Sequence, residues 1–95
     1  MTPNTLEAAR SLAIPTIRSI LRKRRNAIKR RKPFILAVCN ADLHRAIRAA
    51  LMLGLSAESL SRGTTQHTDD SRVLVAVVTR EAAAVRVYTD NRSAV

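Results

Sequence analysis

Phe34 to Cys39, FILAVC, is an unbroken apolar run bracketed by Pro33 and Asn40, and the class of the fold turns on how it is read. Its length suits a strand, and an uninterrupted apolar run is what a strand covered on both faces displays. Arg72 to Thr79, RVLVAVVT, is a second run of this kind, rich in β-branched valine. Val85, Val87 and Thr89 alternate with Arg86 and Tyr88, as in a third strand with one wet face, reached through Arg80 to Ala84, REAAA. Between the first two runs, Asn40 is a good N-cap and Asp42 lies in the turn that follows. They open a helix from about Ala41 to Leu53, with Leu43, Ile47, Ala50 and Leu51 on its core face and Gly54 as its stop. Ser56 caps a short turn of helix through Leu60, closed by Gly63, and GTTQHTDDS from Gly63 to Ser71 reads as a polar loop. Strand, helix, strand makes a right-handed parallel crossover, to which the last strand adds an antiparallel edge. The expected class is α+β, a small βαββ sheet over residues 33–95.

Upstream the sequence changes character. Pro15 to Lys32, PTIRSILRKRRNAIKRRK, carries nine Lys/Arg and no carboxylate. Ile14, Ile17, Leu21 and Ile28 step by three, four and seven, so they share one side of a helix, with Arg24 interrupting them. Arg18, Arg22, Arg25, Lys29 and Lys32 form a second stripe about 100° round from the first. Thr5 caps an earlier helical piece with Glu7 in its first turn, Pro15 kinks the chain or begins a new helix, and Pro33 ends the helix near Arg31. Residues 1–32 are therefore expected to form a basic helical arm. It either folds back over the open face of the sheet or leaves that face to a second copy, so a homodimer is expected as one of two closures.

The charge is local. From Ala8 to Ala41 there are ten Lys/Arg and no Asp or Glu, while the remainder holds seven of each sign. Arginine outnumbers lysine fourteen to three, which favours bidentate contact with phosphate, although a GC-rich reading frame raises arginine as well. A single cysteine, Cys39, excludes an intrachain disulfide and a cysteine-rich zinc site, and points to a reducing compartment. No apolar run reaches the roughly 18 residues that span a bilayer, so the expected location is intracellular, cytoplasmic or nuclear.

These features make nucleic acid the expected partner. A cationic stripe tracks phosphates and supplies affinity with little base specificity. The expected contacts are Arg18, Arg22, Arg25, Lys29 and Lys32, with Lys23, Arg24, Arg30 and Arg31 in reach of a flanking strand. With Phe34 assigned to a buried strand and Tyr88 the only other aromatic, base stacking is disfavoured, and duplex or structured RNA is expected over unpaired strands, DNA remaining open. Small arginine-rich proteins of this composition include viral RNA-binding proteins and ribosome-associated factors. The alternatives are a basic helix docked on an acidic protein or a nuclear-import receptor, and an amphipathic helix lying on an anionic membrane. An enzyme would have to use Cys39, Asp42 and His44 around the carboxyl end of the first strand, yet no glycine-rich phosphate loop accompanies them and the bland reading of each is preferred. His67, Asp69 and Asp70 are a metal-ligand pattern of low specificity in a polar loop, so no metal, cofactor or catalytic residue is assigned.

Overall fold

The computed structural model describes residues 3–63 and 68–93. Four helices follow one another: α1 (Pro3–Lys29), α2 (Pro33–Met52), α3 (Ala57–Gly63) and α4 (Thr68–Ser93). No strand occurs among the described residues, so the α+β class and its βαββ sheet are overturned in favour of an all-helical bundle.

Both apolar runs lie inside long helices. FILAVC makes the opening turns of α2, with Pro33 at the first helical position, where its fixed φ suits the helix and its missing N–H has no intrahelical partner to lose. Leu36, Cys39, Leu43, Ile47 and Ala50 step by three, four, four and three, and the last four of these are buried. The other members of the run face outward, Phe34 with 81% of its surface exposed. In α4 the inward residues Asp70, Leu74, Val77 and Glu81 step by four, three and four. Two of them are carboxylates, which hides the helical period from a reading that follows apolar residues alone. The valines disfavour helix only by about 0.5 kcal/mol each, and burial of Leu74, Val77 and Val78 outweighs that.

The third expected strand, 85–89, and the link before it are also part of α4. Of the expected polar loop, Thr68 to Ser71 are helical and residues 64–67 lie outside the described residues. Ser56 does cap α3, its hydroxyl accepting the Ser59 N–H at 3.0 Å. α1 passes through Pro15 without a break in its helical assignment. Pro15 is exposed, and its missing N–H leaves the Ser11 carbonyl without its usual intrahelical donor.

α1 and α2 form an antiparallel hairpin. Near its open end Arg10 Nε donates to the Leu53 carbonyl at 2.7 Å, and near its closed end Arg24 Nε donates to Asn40 Oδ1 at 2.7 Å. Each hairpin helix closes with the same pair of backbone bonds. At the end of α2, Leu55 N–H reaches Ala50 O and Gly54 N–H reaches Leu51 O, with Gly54 at φ 94°. At the end of α1, Lys32 N–H reaches Ala27 O and Arg31 N–H reaches Ile28 O, with Arg31 at φ 55°. This closure requires a left-handed residue, which glycine adopts freely and an arginine adopts at a cost of about 1–2 kcal/mol.

The core joins all four helices: Ile17 and Leu21 of α1, Leu43, Ile47 and Ala50 of α2, Leu60 of α3, and Leu74, Val77 and Val78 of α4. The seam of α1 thus folds back on helices rather than on a sheet. Ile28, the last member of that seam, is half exposed because the hairpin ends there. The homodimer expectation rested on an uncovered sheet face, and no sheet occurs among the described residues. α1, at 27 residues, is about 40 Å long and accounts for most of the 47 Å long axis of the molecule. Beyond Glu81, α4 outruns the bundle, with Ala83, Ala84 and Arg86 to Asp90 all exposed.

Urea unfolding separates the helical arrangement from the sheet. Leu43→Ala should lose about 2–5 kcal/mol, as expected for a fully buried leucine, whereas Phe34→Ala should stay within about 0.5 kcal/mol of the parent protein. A large loss at Phe34 would restore it to a core position and contradict the bundle.

Candidate nucleic-acid interface

The cations singled out in the sequence divide into two sets. Arg18, Arg22, Lys23 and Lys29 on α1, and Arg30, Arg31 and Lys32 in the turn, are exposed. Arg24 and Arg25 are not part of that surface. Arg24 is held against Asn40, and Arg25 Nε lies 2.8 Å from Asp70 Oδ2 of α4. The Arg25 side chain keeps 37% of its exposure while that of Asp70 keeps 1%. No N–H of the pair lies along the contact, and neither Asp70 oxygen accepts a hydrogen bond among the described residues, so the attraction is Coulombic rather than directional. Asp70 also occupies the first turn of α4, where the helix dipole favours a negative charge.

The geometry follows from helical spacing. Arg25 lies at the inner edge of the expected cationic stripe, turned towards α4, while Arg18, Arg22 and Lys29 occupy the outer part. Arg18 to Lys29 spans eleven residue steps, or about 16 Å along the axis, close to five nucleotide rises of a duplex strand. Lys23 points away from that stripe, and the turn residues Arg30, Arg31 and Lys32 cap the end of the hairpin. The opening turn of α2 adds to the positive potential. Lys32 is its N-cap residue and provides no side-chain hydrogen bond, Leu36 N–H bonds Lys32 O, and the Phe34 and Ile35 N–H groups precede the first intrahelical bonds.

A second ionic group fixes α4 to the other side of the hairpin. Glu81 is only 3% exposed and receives three hydrogen bonds from α2. Arg48 grips both oxygens, Nε to Oε2 at 2.8 Å and Nη2 to Oε1 at 3.3 Å. His44 Nδ1 lies 2.8 Å from Oε1, and because a carboxylate oxygen only accepts, Nδ1 carries the proton. The Arg48 hydrogen bond is the largest influence on the Glu81 carboxyl and holds it below the ordinary value of 4.5, against the opposing effect of burial and with His44 assisting. The Arg48 guanidinium is raised in turn, chiefly by that same hydrogen bond.

The residues considered for catalysis do not form a site of the expected kind. Cys39 is a buried core residue within α2, not the end of a strand. Asp42 lies 3.9 Å from Arg45, and His44 is engaged by Glu81. Asp69 is exposed in the first turn of α4, Asp70 is buried against Arg25, and His67 lies outside the described residues. Among the described residues no group of three His, Cys, Asp or Glu could hold a metal ion.

The sequence reading missed Asp70 and Glu81 as structural anchors, and Phe34 as a surface residue beside the basic turn. Their signal was the heptad-like spacing of α4 and the position of Phe34 directly after a helix-starting proline. Neither a protein-family model, nor a curated protein, nor a solved structure matches this chain, and the compositional comparison with viral or ribosome-associated factors gains no support.

Two measurements test these assignments. Arg25→Ala leaves a buried carboxylate without its cation and should destabilise the protein by about 3 kcal/mol, while Arg22→Ala should change stability by no more than about 0.5 kcal/mol. Equal effects in urea unfolding would mean that the Arg25–Asp70 contact is not structural. The Glu81 contribution should be complete above the unfolded-chain value near 4.5 and be lost as pH falls through the lower folded value. Glu81→Gln should therefore flatten the acid limb of a stability–pH profile, and an unchanged limb would remove Glu81 from the account.

Proposed function

We propose that the chain binds nucleic acid through the phosphate backbone, with RNA as the intended ligand and DNA as the competitor to be tested. The observation that carries this reading is the set of seven exposed cations, Arg18, Arg22, Lys23, Lys29, Arg30, Arg31 and Lys32, in a segment with no carboxylate. A solvated helix needs no such imbalance, and like charges this close oppose the helix that carries them. Arg31 adds weight, because it occupies the left-handed position that glycine fills in the corresponding turn after α2. A cation is placed there in spite of backbone strain, and strain of this kind clusters at functional sites.

The same cations suit an acidic protein or an import receptor, and those remain the alternative. The surface-helix reading of α1 is weakened, because Ile17 and Leu21 are buried in the core and are not free to enter a bilayer surface. No helix among the described residues is long and apolar enough to cross a membrane.

Titration of RNA and DNA of matched sequence across a salt series tests the proposal. Engagement of five to seven phosphates gives a slope of log K against log salt of about −5 to −6 for a duplex. The variant Arg22→Ala, Lys29→Ala, Arg30→Ala spares Arg25 and should flatten that slope by about 2.7 while leaving thermal stability unchanged. Absence of binding at physiological salt, or an unaltered slope in the triple variant, would transfer the basic surface to a protein partner.

A further inference from the structure

Among the described residues Phe34 is the most exposed of the large apolar side chains at 81%, and it stands at the second position of α2, directly behind Lys29, Arg30, Arg31, Lys32 and Pro33. Ile28 of α1 and Ile35 and Val38 of α2 are partly exposed at the same end of the hairpin. A run of exposed cations leading directly into an uncovered phenyl ring, with no carboxylate between Ala8 and Ala41, is complementary to a ligand that offers negative charge and a flat apolar face together. We propose that Phe34 stacks on an unpaired base of a nucleic acid whose adjoining phosphates are held by Lys29, Arg30, Arg31 and Lys32.

This inference rests on the nucleic-acid reading and narrows it to single strands, loops and overhangs. Inside a duplex the bases are already stacked on one another, and Phe34 could meet an internal face only by prising a step apart. An unpaired base has a free face whatever its identity, so the contact is tolerant of sequence, and unpaired bases in loops are the feature of RNA that proteins most often read by stacking. The positive end of α2 faces the same place, and the Phe34 and Ile35 N–H groups have no capping side chain to satisfy them. The expectation that aromatic stacking was closed to this chain depended on Phe34 being buried in a strand. Its position at the opening of a helix reverses that premise.

The experiment uses the full chain and a single-stranded RNA 12-mer containing 2-aminopurine, a blunt RNA duplex of the same sequence, and vesicles containing phosphatidylserine. The proteins are wild type, Phe34→Ala and Phe34→Tyr, each with its thermal melt recorded. On the single strand, the wild type should change the 2-aminopurine emission, Phe34→Ala should bind about 10-fold or more weakly, and Phe34→Tyr should retain affinity. On the duplex, Phe34→Ala should match the wild type within about twofold, because phosphate contacts alone act there. Equal single-strand affinity for Phe34→Ala and wild type overturns the stacking assignment and leaves backbone binding standing. Failure of the wild type to bind either RNA removes the RNA reading on which this inference rests, and the inference with it. Vesicle binding that Phe34→Ala abolishes, with single-strand binding unaltered, overturns the inference and gives the tip to an anionic membrane surface.

Discussion

Two carboxylates of α4 face inward, and the position of that helix depends on a cation of the hairpin answering each one. Asp70 meets Arg25 of α1, and Glu81 meets Arg48 and His44 of α2. Between them Leu74, Val77 and Val78 supply the apolar contact. Apolar packing alone would allow α4 to slide or rotate along the groove, because valine surfaces resemble one another from turn to turn. Two ionic points eleven residues apart remove that freedom, since a displaced α4 would bury a carboxylate with no opposite charge. The pairs therefore set the register more than they add to the stability, an assignment that suits the partial exposure of their cations.

Arginine consequently has two tasks in one helix. Arg24 and Arg25 are adjacent in sequence to Arg22 and Lys23, yet a turn of 100° per residue directs the first two to Asn40 and Asp70 and leaves the second two in water. The local excess of charge overstates the cationic surface for this reason. What remains is concentrated at the closed end of the hairpin, where the helix α1 ends, an arginine takes a left-handed conformation and α2 begins with its positive pole outward. That end is also where the apolar seam runs out of partners, so charge and exposed apolar surface coincide there.

Part of this was legible beforehand. The helix through the basic segment, the capping role of Ser56 and the stop at Gly54 follow from local chemistry, and local chemistry is what a sequence states most directly. The class was misread at Phe34 to Cys39 because a six-residue apolar run fits a buried strand and the opening of a buried helix equally well. Continuing the count past Cys39 to Leu43, Ile47 and Ala50 exposes the helical period, and treating Pro33 as a starter rather than a terminator agrees with it. α4 was harder. Its period includes Asp70 and Glu81, and a carboxylate announces itself as surface unless its partner, here 45 residues upstream for Asp70 and 33 for Glu81, is already known. The separation of Arg24 and Arg25 from their exposed neighbours was invisible for the same reason, since Arg25 is distinguished from Arg22 only by what α4 brings to it.

The overhang of α4 has a consequence for the timescales of the molecule. From Ala83 to Asp90 the helix has almost no tertiary contact, Val85 alone being partly buried, so its backbone bonds are held by helical propensity and by local bonds such as that from the Thr89 hydroxyl to the Val85 carbonyl. Isolated helical turns open far more readily than a core does. Amide hydrogens of these turns should exchange with solvent deuterium through fraying, at rates independent of the global unfolding that governs Leu74 to Val78. One continuous helix thus contains two cooperative units, with the boundary at Glu81.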